Sequence, residues 1–349
     1  MTASDWRLPA EWEPQAAILI AWPHAGTDWA ARLSEVESTY VALAAAITRF
    51  QRLLVIVADQ ATQAHVESLL AAARVDSSRV EFVRLPYDDT WLRDSGPITL
   101  LAPGGRVRLM DFRFTGWGGK FDARQDDALV AGLVAAGVFA DAGHRRVDWA
   151  LEGGAIESDG AGSLLSTWRC LGQRHADQSR DAIVATLTDS LHAARVLWLE
   201  HGYLLGDDTD AHIDTLARFA PDGGIVFQAC DDPHDPHHGE LQAMAGELAT
   251  LRTPDGRPYR LTPLPWARPI IDQGRRLAAS YANYLVINGA VLVPAYGDAA
   301  DAEAARRIGE AHPGREVIAI PCRPLIWQNG SLHCITMQLP AGTLPPSAP

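Results

Sequence analysis

The residues able to do covalent chemistry gather in four short segments of this sequence. Segment 329–338 reads Asn-Gly-Ser-Leu-His-Cys-Ile-Thr-Met-Gln, setting Cys334 after a Gly-Ser turn and before an apolar strand. Loop-to-strand junctions often carry catalytic groups, although most free cysteines end as buried structural residues. His333 is adjacent, but on a strand it points to the opposite face, so it is not chosen as the base. Segment 207–214 reads Asp-Asp-Thr-Asp-Ala-His-Ile-Asp. On an extended strand His212 and Asp214 share one face while Ile213 enters the core. Alone, this segment reads more readily as a solvated acidic turn, yet so many carboxylates around one histidine call for a cation or a proton. In segment 86–97 the Arg93-Asp94 step before Gly96-Pro97 reads by itself as an ion pair in a turn. Glu152 is followed by Gly153 and Gly154, which admit close backbone and leave the carboxylate accessible.

One substrate type would use all of these groups. A guanidinium is planar, permanently cationic and forked, so carboxylates in its plane bind it bidentately. Its carbon is a poor electrophile. Attack needs a strong nucleophile such as a thiolate, an acid to protonate departing ammonia, and a base to activate water. Several carboxylates, one histidine and one cysteine, with no metal or cofactor, meet that need.

The chain has 349 residues, a formal net charge of -13, a pI of about 5.3 and a mean hydropathy of -0.06. The acidity argues against nucleic acid and permits cationic small molecules. The run from Ala16 to Trp22 is too short to span a bilayer, so no membrane partner is expected. Four cysteines without CxxC spacing indicate a reduced, cytoplasmic protein. The loop Asp231–His238 superficially suggests a metal site, but its spacing is no defined ligand set, and it is read as solvated.

Apolar, β-branched runs predict strands at 17–22, 53–58, 80–85, 98–101, 107–112, 163–167, 196–199, 224–229, 284–293 and 317–320. Helical patterns fall at 34–49, 60–73, 123–137, 178–193, 239–251 and 299–311, the first opening on a Ser34/Glu37 capping box. Strands outnumber helices, which suggests repeated ββαβ-like modules in one α/β domain covering 1–349, with a flexible tail over 340–349. The segments 88–94 and 207–214 echo each other, Asp-Asp-Thr leading to a further Asp. Related modules would explain the echo; so would chance.

The ordered segments resemble the agmatine deiminase family, grouped with bacterial peptidylarginine deiminase. The matching pieces include Pro9–Gln15, Trp22-Pro23-His24, Asp88–Trp91 with Arg93–Pro97, Gly116–Lys120, Leu151–Gly154, Gly206–Asp210 with His212–Asp214, Ser280–Asn283 and Gly330–Thr336. The resemblance implies a pentein fold, a five-bladed α/β propeller of ββαβ modules around a metal-free site. It also implies hydrolysis of agmatine to N-carbamoylputrescine and ammonia, in polyamine and arginine metabolism, through an amidino-cysteine intermediate. Carried over by motif, Cys334 is the nucleophile and His212 the acid and base. Asp94 and Asp214 grip the guanidinium, and Glu152 orients His212 or touches the guanidinium. Trp91, Asp208 and Trp117 complete the pocket, with Asp208 meeting a distal amine. A homodimer is compatible with this reading. Two departures stand out: Leu171–Arg180 lacks the family's usual Asn/Arg/Asn/Pro stretch, and Ala211 stands where glycine commonly precedes the histidine. Neither is expected to touch the chemistry, though the first would bear on substrate identity. The alternatives are a deiminase of peptidyl-arginine or another guanidino compound, an amidinotransferase, a guanidino-binding protein without activity, and a Cys-His-Asp amide hydrolase.

Overall fold

The structure, a computed structural model, describes residues 5–346. Five sheets repeat one pattern: an antiparallel pair of strands, then a helical crossover to a parallel third strand. One sheet joins Ile98–Ala102, Arg106–Arg113 and Gly143–Ala150. The next joins Ile156–Ser158, Ser163–Thr167 and Arg195–Leu199. Then come Ala217–Ala220, Gly224–Gln228 and Arg260–Leu264, and Leu285–Ile287, Ala290–Ala295 and Glu316–Pro321. The remaining sheet takes its antiparallel pair from opposite ends of the chain, Met337–Pro340 beside Gln15–Ala21, and continues in parallel through Arg52–Val57 and Val80–Arg84. Three strands per crossover in four of the sheets, and four strands with two crossovers in the fifth, account for the strand excess read from the sequence, since a parallel pair needs a helix-length connection and an antiparallel pair only a turn.

The continuous apolar run Arg52–Val57 shows why these strands are uniformly hydrophobic. Leu53, Val55 and Val57 enter one core cluster, while Leu54 and Ile56 enter another on the opposite face. Each such side chain, fully buried, contributes about 1.5–3 kcal/mol. The strands that the apolar patterns passed over lie mostly at sheet edges. Gly143–Ala150 reads Gly-His-Arg-Arg-Val-Asp-Trp-Ala and is largely exposed, and Arg260–Leu264 is half open to solvent. The run 284–293 proves to be two strands, split at Asn288-Gly289, where Gly289 takes a φ of +72°. The capping box does not form: helix Leu33–Ile47 has no side-chain cap, and the Glu37 carboxylate instead accepts from Trp22 Nε1 at 3.1 Å. Beyond Pro340 the chain stays docked as far as Leu344, with Thr343 and Leu344 buried.

What positions the chemistry is the turn before the first strand of each antiparallel pair. Asp94 lies in the turn before Ile98, Glu152 in the one before Ile156, and Asp214 in the one before Ala217. Asn283 precedes Leu285 and Cys334 precedes Met337. The turn at Gly153–Ala155 packs against both Leu92–Ser95 and Ile213–Thr215. Asp94 and Asp214, which close the two echoing segments, hold equivalent places in two sheets.

Candidate active site

Cys334 Sγ reaches a cavity of about 630 Å³ that Asp94, Trp91, Trp117 and Asp208 also line. Asn283 Nδ2 lies 3.2 Å from the sulfur and Asp214 Oδ2 3.7 Å from it. His212, wholly buried, has Nδ1 3.6 Å from Asp94 Oδ1 and Nε2 3.8 Å from Glu152 Oε2. Both imidazole nitrogens, Glu152 Oε2 and Asp214 Oδ1 are buried without a hydrogen-bond partner among the described residues. Buried polar atoms are ordinarily satisfied, and here two carboxylate oxygens and one imidazole are left with unused hydrogen-bonding capacity next to the sulfur.

Ile213–Thr215 is a 3₁₀ turn with His212 at its N-cap, not the extended strand expected from the sequence. The imidazole therefore faces Asp94 and Glu152 instead of lying beside Asp214 by strand alternation. Gly154 lets these groups meet. A Cβ there would sit 2.6 Å from His212 Nδ1, 2.8 Å from Asp94 Oδ1 and 3.2 Å from Asp214 Oδ2, while one on Gly153 would strike the Arg93 carbonyl. Gly154→Ala is expected to lower kcat/KM by about 10²-fold or more, because displacing reacting groups by an ångström costs that much. Steady-state kinetics beside a melting curve would check it; unchanged kinetics would mean the cluster tolerates a methyl group.

Charge is tuned by the same burial. Removal from water pushes the Asp94 carboxyl up to about 6; His212 opposes that, and Asp214 and Glu152 add to it. Burial disfavours the His212 imidazolium, yet Asp94 and the other anionic neighbours hold His212 well above the ordinary histidine value. Burial, then Asp214 and Asp94, push the Cys334 thiol well above its usual range, against the Asn283 amide. Burial also works against the Glu152 carboxylate, but His212 and Arg174 outweigh it and keep it low.

Several partners escaped the sequence reading. Asn283 Oδ1 accepts from the backbone N–H of His333 at 2.9 Å, which turns its Nδ2 toward the sulfur. Arg174, inside the divergent 171–180 segment, pairs with Glu152 at 2.7 Å and Asp210 at 2.7 Å, so that segment does reach the chemistry. Trp117, held at a φ of +57°, donates from Nε1 to Asp94 Oδ2 at 2.9 Å. Asp208 Oδ2 accepts from the Asn329 amide. Ala211 adopts a φ of +71°, at a cost on the order of 1 kcal/mol for a side chain larger than glycine's. The loop 231–238, read as solvated, buries Asp235 against His237, Trp266 and Arg276. Glu152, Cys170 and His212 each place a ligand atom within 4.8 Å of the others, a spacing a thiophilic metal could use, though the Arg174 guanidinium opposes a cation there.

The model of the Porphyromonas-type peptidyl-arginine deiminase family matches residues 7–340. The chain belongs to that family. Among relatives of this deiminase family, the agmatine deiminase of Stutzerimonas stutzeri is 33% identical over 360 residues, covering 96% of this chain and 95% of its own. A solved Porphyromonas gingivalis structure, described as a candidate arginine deiminase, is 48% identical with a TM-score of 0.90, covering 97% and 100%. A C. jejuni agmatine deiminase with cysteine changed to serine, solved with substrate bound, is 33% identical with a TM-score of 0.87, covering 96% of each chain. Among the described residues no helix is long and apolar enough to cross a membrane.

Proposed function

We propose that this protein hydrolyses agmatine to N-carbamoylputrescine and ammonia through a covalent adduct on Cys334. The observation that carries the reading is that Cys334 and Asp94 line one acid-rich cavity and have His212, Glu152 and Asp214 packed directly behind them. The guanidinium seats its N–H groups on Asp94 and Asp214. Its charge offsets the carboxylates that hold the thiol protonated and so favours the thiolate. Sulfur attacks the guanidinium carbon, and the His212 imidazolium gives its proton to the departing nitrogen, which leaves as ammonia. The neutral imidazole then takes a proton from water, hydroxide adds to the amidino carbon, and the C–S bond breaks to return the thiolate and release the ureido product. Glu152 holds His212 in place, Asn283 donates to the thiolate, and Asp208 with the acidic outer wall meets the distal amine. The substrate-bound cysteine-to-serine relative supports this reading. We further read the five repeated sheets as blades of a pentein propeller around the site, with residues 5–346 one catalytic domain. Four free, buried cysteines suit a reduced cytoplasmic setting.

Arg275 favours a second reading. It lines the cavity, bound to the Trp327 carbonyl and the Asn329 amide oxygen, and could receive a carboxylate, as arginine or a peptide would present. Incubation with agmatine, arginine and an arginine peptide, with ureido product measured, separates the two. Agmatine is expected to be turned over far faster; preference for arginine or the peptide would replace this substrate assignment.

Because the guanidinium needs the Asp94 anion, kcat/KM is expected to fall as pH drops through about 6, where free Asp94 becomes protonated. Above that pH the carboxylate is charged and binding is retained. A pH profile of kcat/KM checks it; a flat profile from pH 7 to pH 5 would remove Asp94 from the clamp.

A further inference from the structure

His333 sits behind the site. Its Nδ1 lies 2.8 Å from Asp214 Oδ2 and its Nε2 2.7 Å from Glu11 Oε2, and all three side chains are buried. A neutral imidazole carries one N–H, so both contacts are hydrogen bonds when the ring is doubly protonated or when one carboxyl keeps its proton and donates it to the ring. The surrounding charges favour the doubly protonated ring. Glu11 also takes Arg218 at 2.9 Å and lies 3.6 Å from Arg93, while Arg218 pairs with Glu157 at 2.8 Å. Glu11 and Asp214 thus lie in a buried cluster with the Arg218 and Arg93 guanidiniums, where an imidazolium at 333 supplies a hydrogen-bonded counter-charge to both carboxylates.

We propose that His333, clamped as an imidazolium between Glu11 and Asp214, is a positioning residue that keeps Asp214 ionised and leaves its Oδ1 free for the substrate guanidinium. This rests on the clamp role of Asp214 given above. The geometry divides the carboxylate cleanly: Oδ2 is held by His333, and Oδ1 has no partner among the described residues. Glu11 lies in the N-terminal segment, so that segment reaches the reacting centre through one side chain. Its carboxylate also accepts from the Val286 N–H at 2.7 Å, which fixes its direction.

The other charged groups around Asp214 are His212, Arg218, Asp94 and Cys334. Around His333 stand Arg93, which donates to its carbonyl, and Glu157. Burial raises the Asp214 carboxyl, but His333 foremost, then His212 and Arg218, bring it below the ordinary aspartate value. Without the His333 cation the carboxyl rises, and protonated Asp214 cannot grip a cation.

The test compares His333→Gln, Glu11→Gln and Asp214→Asn in the full-length enzyme, with agmatine as substrate. Glutamine at 333 can still donate to Asp214 but carries no charge. His333→Gln is expected to raise KM by about tenfold or more, with a smaller change in kcat. The acidic limb of kcat/KM should move to higher pH, and Glu11→Gln should act more weakly in the same direction. A residue that merely supported the fold would lower stability and leave that limb in place. If Asp214→Asn is impaired while both other variants keep the wild-type KM and acidic limb, the positioning role is wrong. If Asp214→Asn is itself unimpaired, the clamp reading fails first. Should near-UV circular dichroism show that His333→Gln does not fold, the KM and pH profile of Glu11→Gln decide alone.

Discussion

Replacing Cys334 by serine is expected to reduce turnover of agmatine by at least about 10⁴-fold while the protein folds as before. The exchange alters a single atom of a side chain that is 3% exposed, and every neighbour that contacts the sulfur can also bond a hydroxyl. What is lost is the nucleophile. A thiol reaches its anion with help from a bound cation, whereas a hydroxyl surrounded by Asp94 and Asp214 does not at neutral pH. The guanidinium clamp survives, so equilibrium binding of agmatine should persist. Ureido product assayed beside calorimetric binding separates these effects. Wild-type ammonia release from the variant would end the assignment of Cys334.

His212→Gln comes next in size, with kcat expected to fall by about 10³-fold, within the range for loss of a general acid and base. His212 lies 3.6 Å from Asp94 and 3.8 Å from Glu152, longer than ordinary hydrogen bonds, so its replacement breaks no short contact to either carboxylate. Its imidazolium instead offsets Asp94 and Glu152. Without it, Asp94 should titrate above its present value of about 6, so the acidic limb of the remaining activity should also move upward. Rapid-quench measurement of the first turnover is the sharper readout, since ammonia departs only if an acid protonates it. A wild-type ammonia burst followed by slow turnover would confine His212 to the water-activating step.

The reacting groups were legible from residue type and segment, because their chemistry is local: a thiol, an imidazole and carboxylates suit a planar cation whatever the fold. Strands buried on both faces were legible too, as the apolar run at Arg52–Val57 shows. Edge strands such as Gly143–Ala150 were not, since solvent exposure removes the apolar signal that betrays a strand.

His333 marks the limit most clearly. Strand alternation turned it away from Cys334 and out of consideration. Residues 332–335 form a turn, however, and there alternation has no force. Its partners, Glu11 and Asp214, lie 322 and 119 positions away. No local pattern encodes such a distance. Residue types and their local order were enough to name the groups that could attack, protonate and bind a guanidinium. Tertiary structure decided that Asp94, Glu152, Asp214, Asn283 and Cys334 occupy equivalent turns of five sheets, that Gly154 leaves room for them to meet, and which oxygen of each carboxylate stays free. Those outcomes depend on contacts between segments far apart in the chain, and only the folded chain brings them together.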